Sequence, residues 1–433
     1  MSQSNQSKIG FSSFPKNFWT VIVMEFFERG AYYGVFSGLS VFLVISQSEG
    51  GLGFSKEAAG AILGTIPPLL YFLPILAGAI ADRYGYRKVL MLAFMLMIIG
   101  YGCTGLSQDY VPVFCSLVIM ALGAGLFKPI ISGTIARSTN EHNSSLGFGI
   151  FYWSINLGAC LFPLLLVPYL KSYSYSYVFY MAAVVGLLLL CINIFFFREP
   201  TRPNAGNAGK KLSQVFSEML LVIRDWKFIL MIFIYSGFWI LYFQIYGTVL
   251  WYLNDYVNME PVNRIVNSFL GIFVSNPHWQ FDVVHVTAFT AGIIICFQLL
   301  VSRLIVKTKA LPTMITGIGL GTIGMGILAI SSHAGIFMLG LFIFTFGEMV
   351  AHPKFISYVG LVAPAEKKAL YMGYSFLYGV IGSSIGGFVG ARLYVYFIDQ
   401  LQQPPLMWLC CCSVGLASMV GLWIFNKKCV KNT

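Results

Sequence analysis

Long apolar runs separated by short polar turns recur along the whole chain, at about 18–46, 57–81, 88–107, 110–136, 146–170, 175–197, 227–254, 283–306, 311–331, 334–362, 369–398 and 405–426. Each is about 20 residues or longer, the length a helix needs to cross a hydrocarbon core of about 30 Å. The pattern predicts an all-α integral membrane protein of twelve transmembrane helices. Pro67, Pro68, Pro74, Pro129, Pro163 and Pro353 fall inside these runs. In a membrane bundle, neighbouring helices can satisfy the backbone groups that proline frees, so these positions predict kinks rather than helix ends.

The turns are informative too. The widest charge run, Arg198 to Lys227, divides the chain into six spans and six. This gives an N-terminal bundle at 1–198, a linker at 199–226 and a C-terminal bundle at 227–433. Within the linker, LSQVFSEMLLVI (212–223) has apolar residues at helical spacing and predicts a helix lying in the membrane interface. A second long connector, 255–282, contains VNSFLGIFV, too short to span, and predicts a partly folded external cap. The spacing Gly382-x-x-x-Gly386-x-x-x-Gly390 predicts close helix packing inside one bundle, in a protein functional as a monomer.

Composition agrees with a lipid surround: of 433 residues 58% are hydrophobic and 10% charged, and the mean hydropathy is +0.78. A soluble domain is nearer a quarter charged. The net charge of +11 does not imply a nucleic-acid partner, because the basic residues form no groove-tracking patch. Their distribution reports orientation instead. With both termini cytoplasmic, 20 of the 27 basic residues fall in tails and cytoplasmic loops. Lys56, Lys171 and Arg264 lie outside, and Arg29, Lys128, Lys354 and Arg392 within spans. This positive-inside bias predicts a multi-pass plasma (inner) membrane protein with both ends inside. The nine cysteines have neither metal-ligand nor paired extracellular spacing. No cleavable leader is expected, since the first sixteen residues are polar and Glu25, Glu28 and Arg29 interrupt the first apolar run.

Those three residues open the chemistry. A charged side chain at mid-membrane costs about 2.5–3.5 kcal/mol on insertion scales and so marks function. At 100° per residue, Glu25, Glu28, Arg29, Tyr32, Tyr33 and Phe36 share an arc of about 140° on the first helix. Glu25 and Arg29 are i,i+4 partners in the favourable order. Two carboxylates against one arginine leave an acid free to titrate, as proton coupling requires. Engagement of the arginine by an anionic solute would change the proton affinity of its carboxylates, linking binding to protonation. Lys128, in GAGLFKPIISG, and Glu348, in FTFGEMVAHPKF, are natural partners across the two halves. His352 follows Glu348 by one turn, but two ligands are too few for a metal. Lys354 points elsewhere and is expected to snorkel toward the cytoplasm. No nucleophile–base motif, phosphate loop or dinucleotide fingerprint is present, so no enzyme activity and no cofactor beyond the coupling proton are expected.

Glu25-x-x-Glu28-Arg29 followed by Tyr32-Tyr33-Gly34 resembles the ExxER motif of the proton-dependent oligopeptide transporter family. FYWSINLGA (151–159) resembles that family's second signature, and GAIADRYGYRK (78–88) is similar to the loop shared across the major facilitator superfamily. The resemblance covers nearly the whole chain, more strongly in its first half. It implies a major facilitator fold and symport of di- and tripeptides with protons by alternating access. It further implies that Glu25, Glu28 and Arg29 couple proton movement to the substrate carboxylate. Lys128 would pair with Glu348 and help hold that carboxylate, Tyr32, Tyr33 and Tyr71 would line the cavity, and Asn156 and Glu348 would meet a peptide's amino end.

The chain departs from the family at several points. Phe36 stands where an arginine is common, and Phe243 where the seventh span carries a glutamate. Replacing both partners of an ion pair by apolar groups is far less costly than losing one, so an external apolar gate between Phe36 and Phe243 is expected. The eighth span lacks a cavity asparagine and the eleventh a tryptophan. Proton-coupled transport of a non-peptide solute is the alternative, and a non-transporting receptor or scaffold a further one. Retention of the titratable cluster argues against the last.

Overall fold

The computed structural model describes residues 14–140, 143–199, 222, 224–364 and 367–429. Among these residues twelve long helices follow one another: α1 Lys16–Val44, α2 Lys56–Tyr84, α3 Tyr86–Leu106, α4 Tyr110–Arg137, α5 Leu146–Lys171, α6 Ser176–Phe195, α7 Trp226–Tyr256, α8 His285–Ile305, α9 Ala310–Ile327, α10 Ala334–Val362, α11 Leu370–Gln400 and α12 Pro404–Lys428. Eleven are long and apolar enough to cross a membrane by composition alone. The twelfth, α1, has 29 residues and carries Glu25, Glu28 and Arg29; at 1.5 Å per residue it is about 43 Å long and spans with ease. Their limits follow the apolar runs to within a few residues. The interfacial helix expected at 212–223 lies outside the described residues apart from Val222.

Proline and glycine interrupt some of the spans, while Pro74, Pro129 and Pro353 lie inside unbroken helices. α2 breaks between Leu63 and Ile66, just before Pro67 and Pro68, and Pro163 sits in a π-helical turn, Phe162–Leu166, of α5. α7 breaks between Gln244 and Thr248 around Gly247.

Packing repeats six helices apart. In the first half α3 packs on α4 and α6, α2 on α4, and α1 on α5 and α6. In the second, α9 packs on α10 and α12, α8 on α10, and α7 on α11 and α12. The glycine ladder serves this second set: a Cβ on Gly382 would meet Trp239, on Gly386 Ile240 and Phe243, and on Gly390 Gln244, all on α7. The halves touch chiefly through α2 with α11 and α5 with α8.

One end of the bundle is sealed between the halves. Lys56 of α2 pairs with Asp255 of α7 at 3.3 Å and Asp399 of α11 at 2.9 Å. Lys171 of α5 pairs with Asp282, just before α8, at 2.7 Å. The Trp251 indole donates to the Ser40 carbonyl at 2.8 Å, tying α7 to α1. Beneath the ion pairs α2 and α11 meet backbone to backbone, and a Cβ on Gly387 would collide with the Gly64 nitrogen. At the other end, which carries the described ends of the chain, Arg137 pairs with Asp82 and Tyr371 with Asp225, each within one half. A cleft between the halves opens toward that end. Tyr152 of α5 is 46% exposed yet lies in the electrostatic reach of Glu348 on α10.

Candidate functional site

The charged face of α1 points to the head of this cleft. Glu25, Glu28 and Arg29 are buried, as the 100° periodicity requires. The guanidinium gives its fork to Glu28, Nε to Oε2 at 2.5 Å and Nη2 to Oε1 at 2.7 Å. Glu25 stands off at 3.7 Å from Nε, and its Oε2 has no hydrogen-bond partner among the described residues. The i,i+4 ion pair of Glu25 with Arg29 is present at that distance, but the closer, bidentate contact goes to Glu28, because two long side chains on adjacent residues can curl into the geometry that a carboxylate prefers. Glu25 is the acid left over.

Around this pair the cavity is aromatic. Arg29 lies over the rings of Tyr32 at 4.8 Å and Tyr33 at 6.0 Å, and Tyr32 stacks on Phe36 at 4.4 Å. From the second half come Phe243, Tyr242 and Tyr246, with Tyr246 6.4 Å from Tyr33. Tyr71 reaches from α2 into a nest of Trp239, Phe243, Phe376 and Tyr378 at 5.9–6.4 Å. Gly379 makes room for it, since a Cβ there would run into the Tyr71 ring. Tyr71 is therefore a bridge between the halves as well as a wall of the cavity.

Lys128 and Glu348 do not form an ion pair in this structure. The Lys128 ammonium sits 5.2 Å from the Tyr71 ring and 5.6 Å from Phe376. Its charged neighbours are Arg29, Glu25 and Glu28. Glu348 instead lies within electrostatic reach of Tyr33, Tyr71, Tyr152, Tyr242 and Tyr378. Phe36 and Phe243 line the same cavity, but their rings meet Tyr32 and Tyr71 rather than each other. Asn156 turns its amide back to the Tyr152 carbonyl of its own helix at 2.9 Å.

Two charged features are not evident from the sequence. Lys354 does not snorkel into water. It is buried and donates to the carbonyls of Thr308 at 2.7 Å and Val306 at 3.4 Å, closing the end of α8. Its position directly after Pro353 in an apolar span gives no hint of a partner 46 residues away. The Lys56–Asp255–Asp399 cluster is equally hidden, since each member reads as an ordinary loop charge until the fold brings α2, α7 and α11 together.

Comparison with known proteins fits this geometry. A family model described as Major Facilitator Superfamily matches residues 19–387. An uncharacterised transporter of Bacillus subtilis is 31% identical over 212 residues, 48% of this chain and 42% of its own length. Dipeptide and tripeptide permease B of Photorhabdus luminescens is 32% identical over 220 residues, 50% of this chain and 44% of its own. The aligned region spans about half the length of these curated relatives. A crystal structure of a POT family transporter in complex with 5-aminolevulinic acid superimposes with a TM-score of 0.78 at 22% identity, covering 98% of both chains. A peptide transporter POT crystallised with sulfate gives 0.75 at 22%, covering 96% of this chain and 95% of its own. The chain belongs to the Major Facilitator Superfamily, and its fold is that of the superfamily's proton-dependent oligopeptide transporter branch.

Proposed function

We propose that this protein is a proton-coupled symporter that imports di- and tripeptides by alternating access. The observation that carries the reading is one arrangement: a buried Glu28–Arg29 pair with a surplus carboxyl, Glu25, at the head of a tyrosine-lined cleft. The cleft also holds Lys128, which has no carboxylate in ion-pair contact among the described residues. A peptide's carboxylate entering between Arg29 and Lys128 competes for the guanidinium. Glu28, released from its partner in a buried site, is then relieved by taking a proton, because a lone buried charge is costly. Substrate and proton so favour one another's binding, and a bundle with two arrangements converts that linkage into transport. Glu348, on the opposite half and within electrostatic reach of tyrosines from both halves, receives a substrate's amino group in this reading. Tyr32, Tyr33, Tyr71 and Asn156 line or flank the path. The relatives named as peptide permeases and the solved structures of POT proteins support this reading.

In this reading the membrane is the plasma (inner) membrane, the sealed end faces outward, and both termini lie in the cytoplasm, as the basic residues indicate. The described conformation is then inward-open. The test is uptake of labelled di- and tripeptides into proteoliposomes under an imposed inward proton gradient. Accumulation that collapses with the gradient is expected. Peptide uptake indifferent to the gradient would refute the coupling, and accumulation of another small solute with none of peptides would refute the substrate class.

A further inference from the structure

We propose that residues 260–274 form an interfacial anchor whose apolar face lies on the bilayer leaflet at the sealed end. The connector between α7 and α8 folds into a short helix, Glu260–Leu270, with no buried residue. At 100° per residue Ile265, Phe269, Val262, Val266 and Leu270 occupy one arc of about 140°, while Asn263, Asn267, Glu260, Arg264 and Ser268 fill the opposite side.

On the polar side Asn263 and Asn267 face the protein's own chain, while Glu260, Arg264 and Ser268 are exposed. Asn263 accepts from the Phe281 amide at 2.8 Å, and Asn267 exchanges two hydrogen bonds with the Trp279 backbone, also at 2.8 Å. Arg264 pairs with Glu260 in the open at 3.1 Å. The apolar side is bare along one edge: Val262, Val266 and Leu270 are half-buried, whereas Ile265 is 70% exposed and Phe269 61%. The stripe continues past the helix, where Phe273 packs edge-on to Phe269 at 5.6 Å and Ile272 and Phe273 are 73% and 71% exposed. Such a surface in water is an aggregation liability. An amphipathic helix of this kind settles at the headgroup boundary with its apolar face down.

Lipid is the occupant because the helix is tethered at the level where a membrane span begins. The helix packs on α10, and the Asn258–His333 bridge fixes its start level with the first residue of that span. Exposed Ile330 and Leu339 lie at this same level, on the turn after α9 and in the second turn of α10, within the apolar belt of the spans. The anchor joins α7 to α8, both in the second half, so it holds that half against the membrane plane while the first half moves against it.

The test places single cysteines at 269 and, on the polar side, at 264. Each is labelled with an environment-sensitive fluorophore in proteoliposomes and compared with background labelling of the parent's nine cysteines. The label at 269 is expected to be quenched by lipids carrying a nitroxide near the headgroup and shielded from aqueous iodide, and the label at 264 the reverse. Equal iodide quenching at both positions would overturn the proposal. So would a label at 269 shielded from both quenchers, which would place a second copy or another protein on the face.

Discussion

The two ends of the bundle differ in how the halves meet. At the sealed end, ion pairs from Lys56 and Lys171 and an indole–carbonyl bond cross from one half to the other above a backbone-close contact of α2 with α11. At the opposite end, Arg137–Asp82, Tyr371–Asp225 and the Lys354 cap stay inside one half. The partners at the sealed end are 19–36% exposed, and pairs of that kind are worth about 0.2–1 kcal/mol each. Packing therefore closes that end, and the charges set its register while remaining easy to part. A carrier needs this, since an end that shuts irreversibly cannot alternate.

The comparison can be broken in graded steps. Gly387→Leu should have the largest effect. Its side chain would meet the Gly64 backbone, which no rotamer relieves, and overpacking of this kind costs about 1–3 kcal/mol or more. Proteoliposome uptake should fall at least about tenfold, while a cysteine at position 36 becomes reactive to an impermeant thiol reagent added at the sealed end. Lys56→Met removes two pairs at once and should raise that reactivity about two- to thirtyfold on the same surface-pair scale. Lys171→Met removes one pair and should raise it by no more than about fivefold. Arg137→Met, at the other end, should leave it unchanged. An effect of Arg137→Met as large as that of Lys56→Met would erase the distinction between the ends.

Much of this was legible in the sequence. Hydropathy located all the spans, because lipid demands continuous apolar runs. The charge pattern singled out α1, because charge in the membrane needs a reason. The spacing of Gly382, Gly386 and Gly390 marked the α7–α11 contact. Partner choice was not legible. The wheel of α1 puts Glu25 one turn from Arg29, and that ion pair forms, but nothing in the spacing shows that the bidentate contact goes to Glu28. Lys128 and Glu348 match in charge, yet no ion pair joins them in this structure. Phe36 and Phe243 share a cavity, but their rings pair with Tyr32 and Tyr71. These choices depend on which side of the bundle is open, a property of the conformation rather than of any local pattern.

The central claim is that the carboxylates of α1 couple proton movement to transport. Its most direct test is Glu28→Gln, assayed for gradient-driven uptake and for counterflow exchange in the same proteoliposomes. The account predicts that uptake against a concentration difference is lost while exchange persists, because the amide keeps the site's shape but cannot carry a proton. Retention of gradient-driven accumulation would contradict the account, and equal loss of both activities would assign Glu28 to binding or folding instead.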